Sequence, residues 1–336
     1  MPEKQDRRIP EEVRTILPEL IRKTGCGDWS VRGSPLQRRD CRIYFLESGS
    51  FRLPGLVLKI YLQDEVWEHL AKSLHKKSRR YMKAATAECA VPEPILLLPE
   101  ANAMVMECVE APSAGSLLMR GFHSVEIRRE VVRKAARWLR WFHESKGVTS
   151  EPFEAASYTG PLAGSAEKIR QLAPERLAGD ALLRKCIEAA GEFATSMDGL
   201  EFPHATAHGD FTPFNLFIHG ERMVGFDFRA NRRLPVPHDI CRFLLYLDIY
   251  RITPAGGGEL ARYGCRRDDF EIFMAEYGTG REWLEDGIWL KLQFMEITRR
   301  ITSLSLPRTR LRKRLLRFIE IAYLRRNARH ILAALK

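Results

Sequence analysis

The stretch His208-Gly209-Asp210-Phe211-Thr212-Pro213-Phe214-Asn215, followed by Gly225-Phe226-Asp227-Phe228, decides how this chain reads. It holds a histidine, a carboxylate, an amide further along the same segment, and a second carboxylate at the end of a short apolar run. Ala207–Ile218 and Met223–Phe228 are apolar and separated by the turn signal His219-Gly220, so they predict a small hairpin embedded among helices. That spacing places Asp210 and Asn215 on one loop and Asp227 on the facing strand. Phosphoryl transfer needs such groups: a carboxylate to orient the attacking hydroxyl and accept its proton, and an amide oxygen and second carboxylate to hold Mg²⁺ against nucleotide phosphates. Taken singly, each residue favours a surface turn with incidental acids; the joint spacing favours the chemical reading.

Upstream of this loop, strand signals dominate. Cys41–Glu47 and Leu56–Leu62 are short and β-rich, with the turn-like Ser48-Gly49-Ser50 between them, and Ile95–Leu98 and Ala103–Val109 flank the turn Pro99–Asn102. Both pairs read as antiparallel strands. A polar helical stretch runs from Asp64 to about Ala87, and Val13, Ile16, Leu17, Leu20 and Ile21 recur at helical spacing within Pro10–Lys23, with a kink expected at Pro18. After Ala111-Pro112-Ser113-Ala114-Gly115 the pattern turns helical, over Ser124–Ser145, Ala166–Leu172, Ala181–Met197 and most of His238–Lys336, broken at Gly256-Gly257-Gly258. The expected boundary lies near Glu110, with a small antiparallel-sheet region over 1–110, opened by an amphipathic helix, and a larger helical region over 111–336. The fold class is α+β.

Composition agrees with a globular chain of this size. Of 336 residues, 45% are hydrophobic and 29% charged, which excludes disordered and low-complexity classes. Lys and Arg number 54 against 43 acids, a net charge of +11, and this points to an anionic partner without choosing among nucleotide, sugar phosphate, nucleic acid and membrane. The seven cysteines are scattered, with no Cys-x-x-Cys and no zinc spacing, and read as reduced and structural. The first residues lack an apolar signal core, and no uninterrupted apolar run reaches the ~18 residues of a membrane span, so the cytoplasm is the default compartment. Gly-x-x-x-x-Gly-Lys-Ser/Thr, His-Glu-x-x-His and Gly-x-Ser-x-Gly are all absent, which removes P-loop kinases and the commonest zinc protease and serine hydrolase readings.

Over Ala207–Asp227 the sequence resembles the aminoglycoside phosphotransferase group of protein-kinase-like small-molecule kinases, whose catalytic loop reads His-Gly-Asp-x-x-x-x-Asn. The resemblance implies a two-lobed protein-kinase-like fold with ATP and Mg²⁺ as cofactors. It makes Asp210 the catalytic base, Asn215 and Asp227 the metal ligands, and His208 a brace for the loop. It also calls for a strand lysine on the α/β-phosphates. Lys59 fits, since alternation in Val57-Leu58-Lys59-Ile60-Tyr61 puts Val57, Lys59 and Tyr61 on one face; an edge-strand lysine on a solvated face is the plain alternative. In the family this lysine pairs with a helix glutamate, for which Glu68 is preferred over Glu65. Met106, Glu107 and Val109 correspond to the hinge, with backbone at Glu107 and Val109 meeting the adenine edge and Met106 bordering the base. His143, in a Leu-x-x-Leu-His-like segment, and Asp239 and Arg242, in an Asp-x-x-Arg-Phe element, are read as structural. The sequence departs from the pattern in having no Gly-x-Gly-x-x-Gly; Gly33-Ser34 and, more weakly, Gly25-Cys26-Gly27 stand where a phosphate-covering loop belongs.

Two basic segments bear on partners. Arg229, Arg232 and Arg233 follow the metal strand, in a stretch that also looks like a segment of lipopolysaccharide-core sugar kinases, and they favour an anionic saccharide over a polycationic acceptor; neutralisation by nearby acids is the alternative. Arg308-Thr309-Arg310-Leu311-Arg312-Lys313-Arg314 precedes an apolar stripe and suits either an anionic membrane surface or, more commonly, a core-packing helix with a solvated basic face. No RNA-binding signature or zinc finger accompanies it, which disfavours nucleic acid. The expected function is transfer of the γ-phosphate of ATP to a hydroxyl of a small molecule or saccharide. The competing reading is a kinase-like nucleotide-binding or adaptor protein with weak turnover.

Overall fold

The computed structural model describes residues 9–38, 40–49, 55–67, 71–120, 124–228, 232–249, 254–278, 281–306 and 314–335. Along the chain the elements are α1 (Glu11–Arg14), α2 (Leu17–Thr24), β1 (Trp29–Val31), β2 (Leu36–Gln37), β3 (Cys41–Ser48), β4 (Leu56–Tyr61), α3 (Asp64–Val66), α4 (Lys72–Lys83), β5 (Cys89–Ala90), β6 (Pro94–Leu98), β7 (Ala103–Glu107), α5 (Ala114–Arg120), α6 (Val125–Glu144), β8 (Thr149–Pro152), α7 (Ala155–Leu172), α8 (Pro174–Gly179), α9 (Ala181–Met197), β9 (Glu201–Thr206), β10 (Leu216–His219), β11 (Arg222–Gly225), β12 (Arg233–Pro235), α10 (Pro237–Ile249), α11 (Gly257–Tyr263), α12 (Arg267–Tyr277), α13 (Arg281–Glu285), α14 (Ile288–Ser305) and α15 (Arg314–Ala334). They fall into two compact units, Met1–Ser113 with Leu216–Arg229, and Ala114–Asn215 with Ala230–Lys336.

The first unit is built on an antiparallel sheet of order β1-β3-β4-β7-β6, with β2 also paired to β3. Alternation on β4 works as read. Leu56 and Leu58 point into a core with Val105 of β7 and with Val13, Ile16 and Leu20 of the opening helices, while Tyr61, on the other face, packs with Cys41, Trp67 and Ala71. The kink expected at Pro18 resolves into two helices, because Pro lacks an N–H and sits in the first turn of α2, where none is needed. In α4, Leu74, Ser78 and Tyr81 are buried while Lys76, Arg79 and Arg80 are exposed, so this basic run is a solvated face.

The hairpin β10–β11 differs from the expected division of the chain. A cut near Glu110 assigns it to the helical region, whereas it belongs to the first unit. The reason is backbone pairing. Met223 and Val224 of β11 pair in parallel with Cys89 and Ala90 of β5, and Phe217 of β10 bridges Ser113. These contacts join 216–229 to the first unit. The second unit is helical apart from the short sheet β12-β9-β8. Its long helix α6 is N-capped by the Ser124 side chain, which accepts from the Ile127 N–H, and it buries Trp138, Leu139, Phe142 and His143 along one face. Among the described residues no helix is long and apolar enough to cross a membrane.

Candidate active site

In the second unit, the segment from His208 to Asn215 is a loop with one 3₁₀ turn at Pro213–Asn215, rather than a continuation of strand. Its start is held by one carboxylate. Asp239, in the first turn of α10, accepts from the His208 N–H at 2.6 Å and from the Gly209 N–H at 3.0 Å, and its Oδ2 lies 3.4 Å from His143 Nε2. His143 Nδ1 is in turn 2.8 Å from the Tyr277 hydroxyl. Burial alone would push the Asp239 carboxyl up, but the hydrogen bond to His143 and the surrounding histidines hold it well below the usual carboxylate range. The His208 ring is fully buried against Trp138, Phe142 and Phe211. His143, His208 and Asp239 are thus structural, as read.

Gly209 adopts φ +80°, which lets the loop turn outward at Asp210. The Asp210 side chain is 33% exposed, and Asn215 and Arg242 are among the groups beside it. Asn215 Nδ2 donates to the Asp210 carbonyl at 2.8 Å and to its Oδ2 at 3.2 Å. Arg242 of α10 donates to the Gly209 carbonyl and stands 3.6 Å from Asp210 Oδ1, while its Nε donates to Glu296 of α14 at 2.9 Å. Burial opposes the Arg242 charge, yet Glu296 more than offsets this and holds the guanidinium above its ordinary value. Burial likewise opposes the Glu296 charge, and Arg242 and Arg299 keep that carboxyl well below its usual range.

In the first unit, Lys59 Nζ lies 3.3 Å from Asp227 Oδ1, with both side chains about seven-eighths buried, at 13% and 14% exposure. The ammonium also lies over the Tyr61 ring, 5.1 Å from its centroid. Asp227 follows β11 in a left-handed conformation, φ +59°, uncommon for a residue with a side chain though tolerated best by Asp and Asn. Its neighbours fix that turn: Phe226 stacks on Phe217 at 5.0 Å, and the buried Phe228 meets Tyr81 edge-on at 5.5 Å. Met106 pairs with Val57 and Met104 with Lys59, so Met106 shares the face that carries Lys59. The Glu107 N–H donates to the Glu93 carbonyl and the Cys108 N–H to the Gly55 carbonyl, both at 2.8 Å. The Glu107 and Cys108 N–H groups are therefore already used within the fold.

In the second unit Asn215 turns Nδ2 onto Asp210 and so directs its amide oxygen away from that carboxylate; in the first unit Asp227 presents carboxylate oxygen beside Lys59. Each is an oxygen donor of the kind a hard cation takes. Mg²⁺ is commonly held by one or two such oxygens together with substrate phosphates. Among the described residues no group of three or more His, Cys, Asp or Glu could hold a metal by itself.

The structure therefore brings Lys59 to Asp227, and Asp210 to Asn215. Lys59 pairs with Asp227; of the two helix glutamates considered for it, Glu65 is exposed and Glu68 lies outside the described residues. Gly33, with φ +71°, turns the chain between β1 and β2, and the glycine at 25 caps α2. Arg233 does not face an open acceptor side as its sequence position suggests. Its guanidinium bonds Glu151, the Thr149 hydroxyl and the His204 and Gly147 carbonyls, so it ties β12 to the β8–β9 pair. Arg232 is exposed, with one 3.4 Å contact to the Ser157 carbonyl; Arg229 lies outside the described residues. So does most of the basic run Arg308–Arg314. Just beyond it, Arg317 bonds the Leu304 and Leu306 carbonyls, Arg325 pairs with Asp180 and Arg326 bonds the Ala255 carbonyl, so these three arginines serve internal packing. Sequence reasoning missed Glu296. Its one signal is an acid set among buried positions of α14, which reads in sequence as an ordinary helix residue.

The chain matches the model of the phosphotransferase enzyme family over residues 36–264. No curated protein is significantly similar to it in sequence. Several solved structures share its fold. A choline/ethanolamine kinase family protein from Mesorhizobium loti is 17% identical, with 96% of this chain and 97% of that one covered and a TM-score of 0.55. A thermostable mutant of the aminoglycoside phosphotransferase APH(4)-Ia, solved with AMP-PNP and hygromycin B, is 13% identical, with 95% and 98% covered and a TM-score of 0.60. The macrolide 2'-phosphotransferase MphH from Brachybacterium faecium is 16% identical, with 92% and 97% covered and a TM-score of 0.55.

Proposed function

Since the chain belongs to the phosphotransferase enzyme family, we propose that it moves the γ-phosphate of ATP to a hydroxyl of a small molecule or saccharide. The observation that carries this is the loop His208–Asn215, clamped at its start by Asp239 and presenting Asp210 with Asn215 bonded to it. Asp210 orients the acceptor hydroxyl and takes its proton as the oxygen attacks phosphorus. Asn215, through its amide oxygen, and Asp227 hold Mg²⁺, which when bound offsets charge on the phosphates. Lys59 steadies the α/β-phosphates. Met106 borders the adenine, whose edge meets the Glu107 carbonyl and the Val109 N–H.

The acceptor is a hydroxyl compound. Preference for an anionic saccharide keeps support from Arg232 and from the net charge of +11, and loses the support of Arg233. A screen of hydroxyl acceptors with MgATP, reading ADP release, tests the reading. It should include choline, kanamycin and a phosphorylated heptose at low and moderate salt. Release stimulated by one class identifies it; faster release with kanamycin than with the phosphorylated sugar removes the anionic preference. A second reading, nucleotide binding with weak turnover, is favoured by the missing glycine-rich loop, and MgATP binding without ADP release under any acceptor would select it.

A further inference from the structure

Beneath the catalytic loop lies a chain of charges that reaches a different helix. Arg242 is 5% exposed and Glu296 4%. Glu296 accepts from Arg242 Nε and also from Arg299, at 2.6 and 2.8 Å. With its other end, Arg242 donates to the Gly209 carbonyl, and it stops 3.6 Å short of Asp210 Oδ1. A guanidinium is a rigid planar fork, so fixing one edge fixes where the other points. Charge-assisted hydrogen bonds close to about 2.7–2.9 Å when nothing restrains them. At 3.6 Å the Arg242–Asp210 pair is within ion-pair reach but longer than a closed charge-assisted hydrogen bond.

We propose that Glu296 is a positioning residue for phosphoryl transfer: it anchors Arg242 on the Gly209 carbonyl and prevents the guanidinium from capturing the Asp210 carboxylate. This rests on the assignment of Asp210 as the group that orients the hydroxyl. A buried cation that loses its partner seeks another, since leaving it uncompensated is costly. Without the Glu296 charge, Arg242 closes on Asp210, and the carboxylate is drawn into an ion pair and away from the acceptor. Misplacing a reacting group by about 1 Å is enough to cost on the order of 10²-fold in rate.

The test uses the full chain with MgATP and water as acceptor. Glu296→Gln keeps the shape and an acceptor oxygen while removing the charge. ADP release should fall about 10–100-fold, with the KM for ATP changed by less than about threefold, and Glu296→Asp, which restores the charge on a shorter stem, should recover part of the rate. A crystal structure of Glu296→Gln should show the Arg242–Asp210 contact closed to about 2.8 Å. Asp269→Asn is the control: it breaks the comparably buried Arg128–Asp269 pair, 2.6 Å long and joining α6 to α12, and should lower Tm without slowing ADP release. Arg242→Lys, which keeps the charge and loses the fork, gives an independent reading, where slower release at unchanged KM supports the proposal and an unchanged rate counts against it. A Glu296→Gln protein with lower Tm alone, its rate and the 3.6 Å separation unchanged, overturns it. If the wild-type chain releases no ADP, the phosphotransfer reading fails on its own account, and the crystallographic separation still decides the role of Glu296.

Discussion

Asp227 combines two properties seldom found together, a left-handed backbone and a partly buried carboxylate facing Lys59 at 3.3 Å. Strain at such a position persists only where the surroundings over-determine it, and here the rings of Phe217 and Tyr81 do so. The substitutions that test its role must respect the backbone. Asp227→Asn tolerates the left-handed conformation, so it should fold and lose the Mg²⁺-dependent part of ATP affinity; calorimetry showing unchanged MgATP binding would remove Asp227 from the metal. Asp227→Ala adds a backbone cost of roughly 1 kcal/mol, visible as a lower Tm relative to Asp227→Asn. Asp210→Asn should lower turnover by about 10²–10⁴ while ATP binding survives, because the base acts on the acceptor. Near-wild-type turnover would strip Asp210 of that role. For Lys59→Ala the expected result is a higher KM for ATP with slower turnover, and a change confined to Tm would make the lysine merely structural.

At the scale of the element, the catalytic loop owes its form to α10 and α5. Asp239 gathers two loop N–H groups and His143 on one carboxylate, and its folded-state pKa is depressed. The sign of the linkage follows. The stability it contributes is fully present above the ordinary Asp value of about 3.9 and is lost as pH falls below it toward the lower folded value. Asp239→Asn should therefore cost about 3 kcal/mol near neutrality, and its deficit against wild type should shrink in urea melts below about pH 4. A deficit constant with pH would mean that the carboxylate charge is not what holds the loop. The 3₁₀ turn is seated differently. A Cβ at Gly115 of α5 would fall 2.5 Å from Phe214 Cδ1 and 2.8 Å from Cγ, near the stiff base of the ring. Ala is favoured over Gly in a helix by up to about 1 kcal/mol, whereas overpacking costs about 1–3 kcal/mol. Gly115→Ala should on balance lower Tm, and a higher Tm would show that the ring moves aside freely.

For the whole molecule, the return of Leu216–Arg229 to the first unit has a consequence for how the chain can be divided. A fragment ending at Ser113 keeps the sheet but leaves β5 without the backbone partner that β11 provides. Such a fragment should show a broad, weakly cooperative thermal transition by circular dichroism. The same fragment joined through a short linker to residues 216–229 should melt more sharply and at higher temperature. Equal melting curves would mean that the hairpin adds nothing to the unit it pairs with.

The sequence by itself determined whatever depends on neighbours along the chain. The strand pairs around Ser48-Gly49-Ser50 and Pro99–Asn102, the helices Val125–Glu144 and Ala181–Met197, and the spacing of Asp210, Asn215 and Asp227 were legible because periodicity, turn residues and loop chemistry act over a few residues. Tertiary structure alone decided which charges meet. Arg232 and Arg233 are adjacent and alike in sequence, yet Arg233 is bound by four groups from two other segments while Arg232 is exposed. Lys59 faces Asp227, which lies 168 positions away, and Glu296 reaches Arg242 across 54 positions from another helix. A hydrophobic side chain reports its burial through its spacing, because every apolar neighbour will serve it. A charged one needs a particular partner at about 3 Å in a particular direction, and nothing in the local sequence records which distant residue the packing brings there.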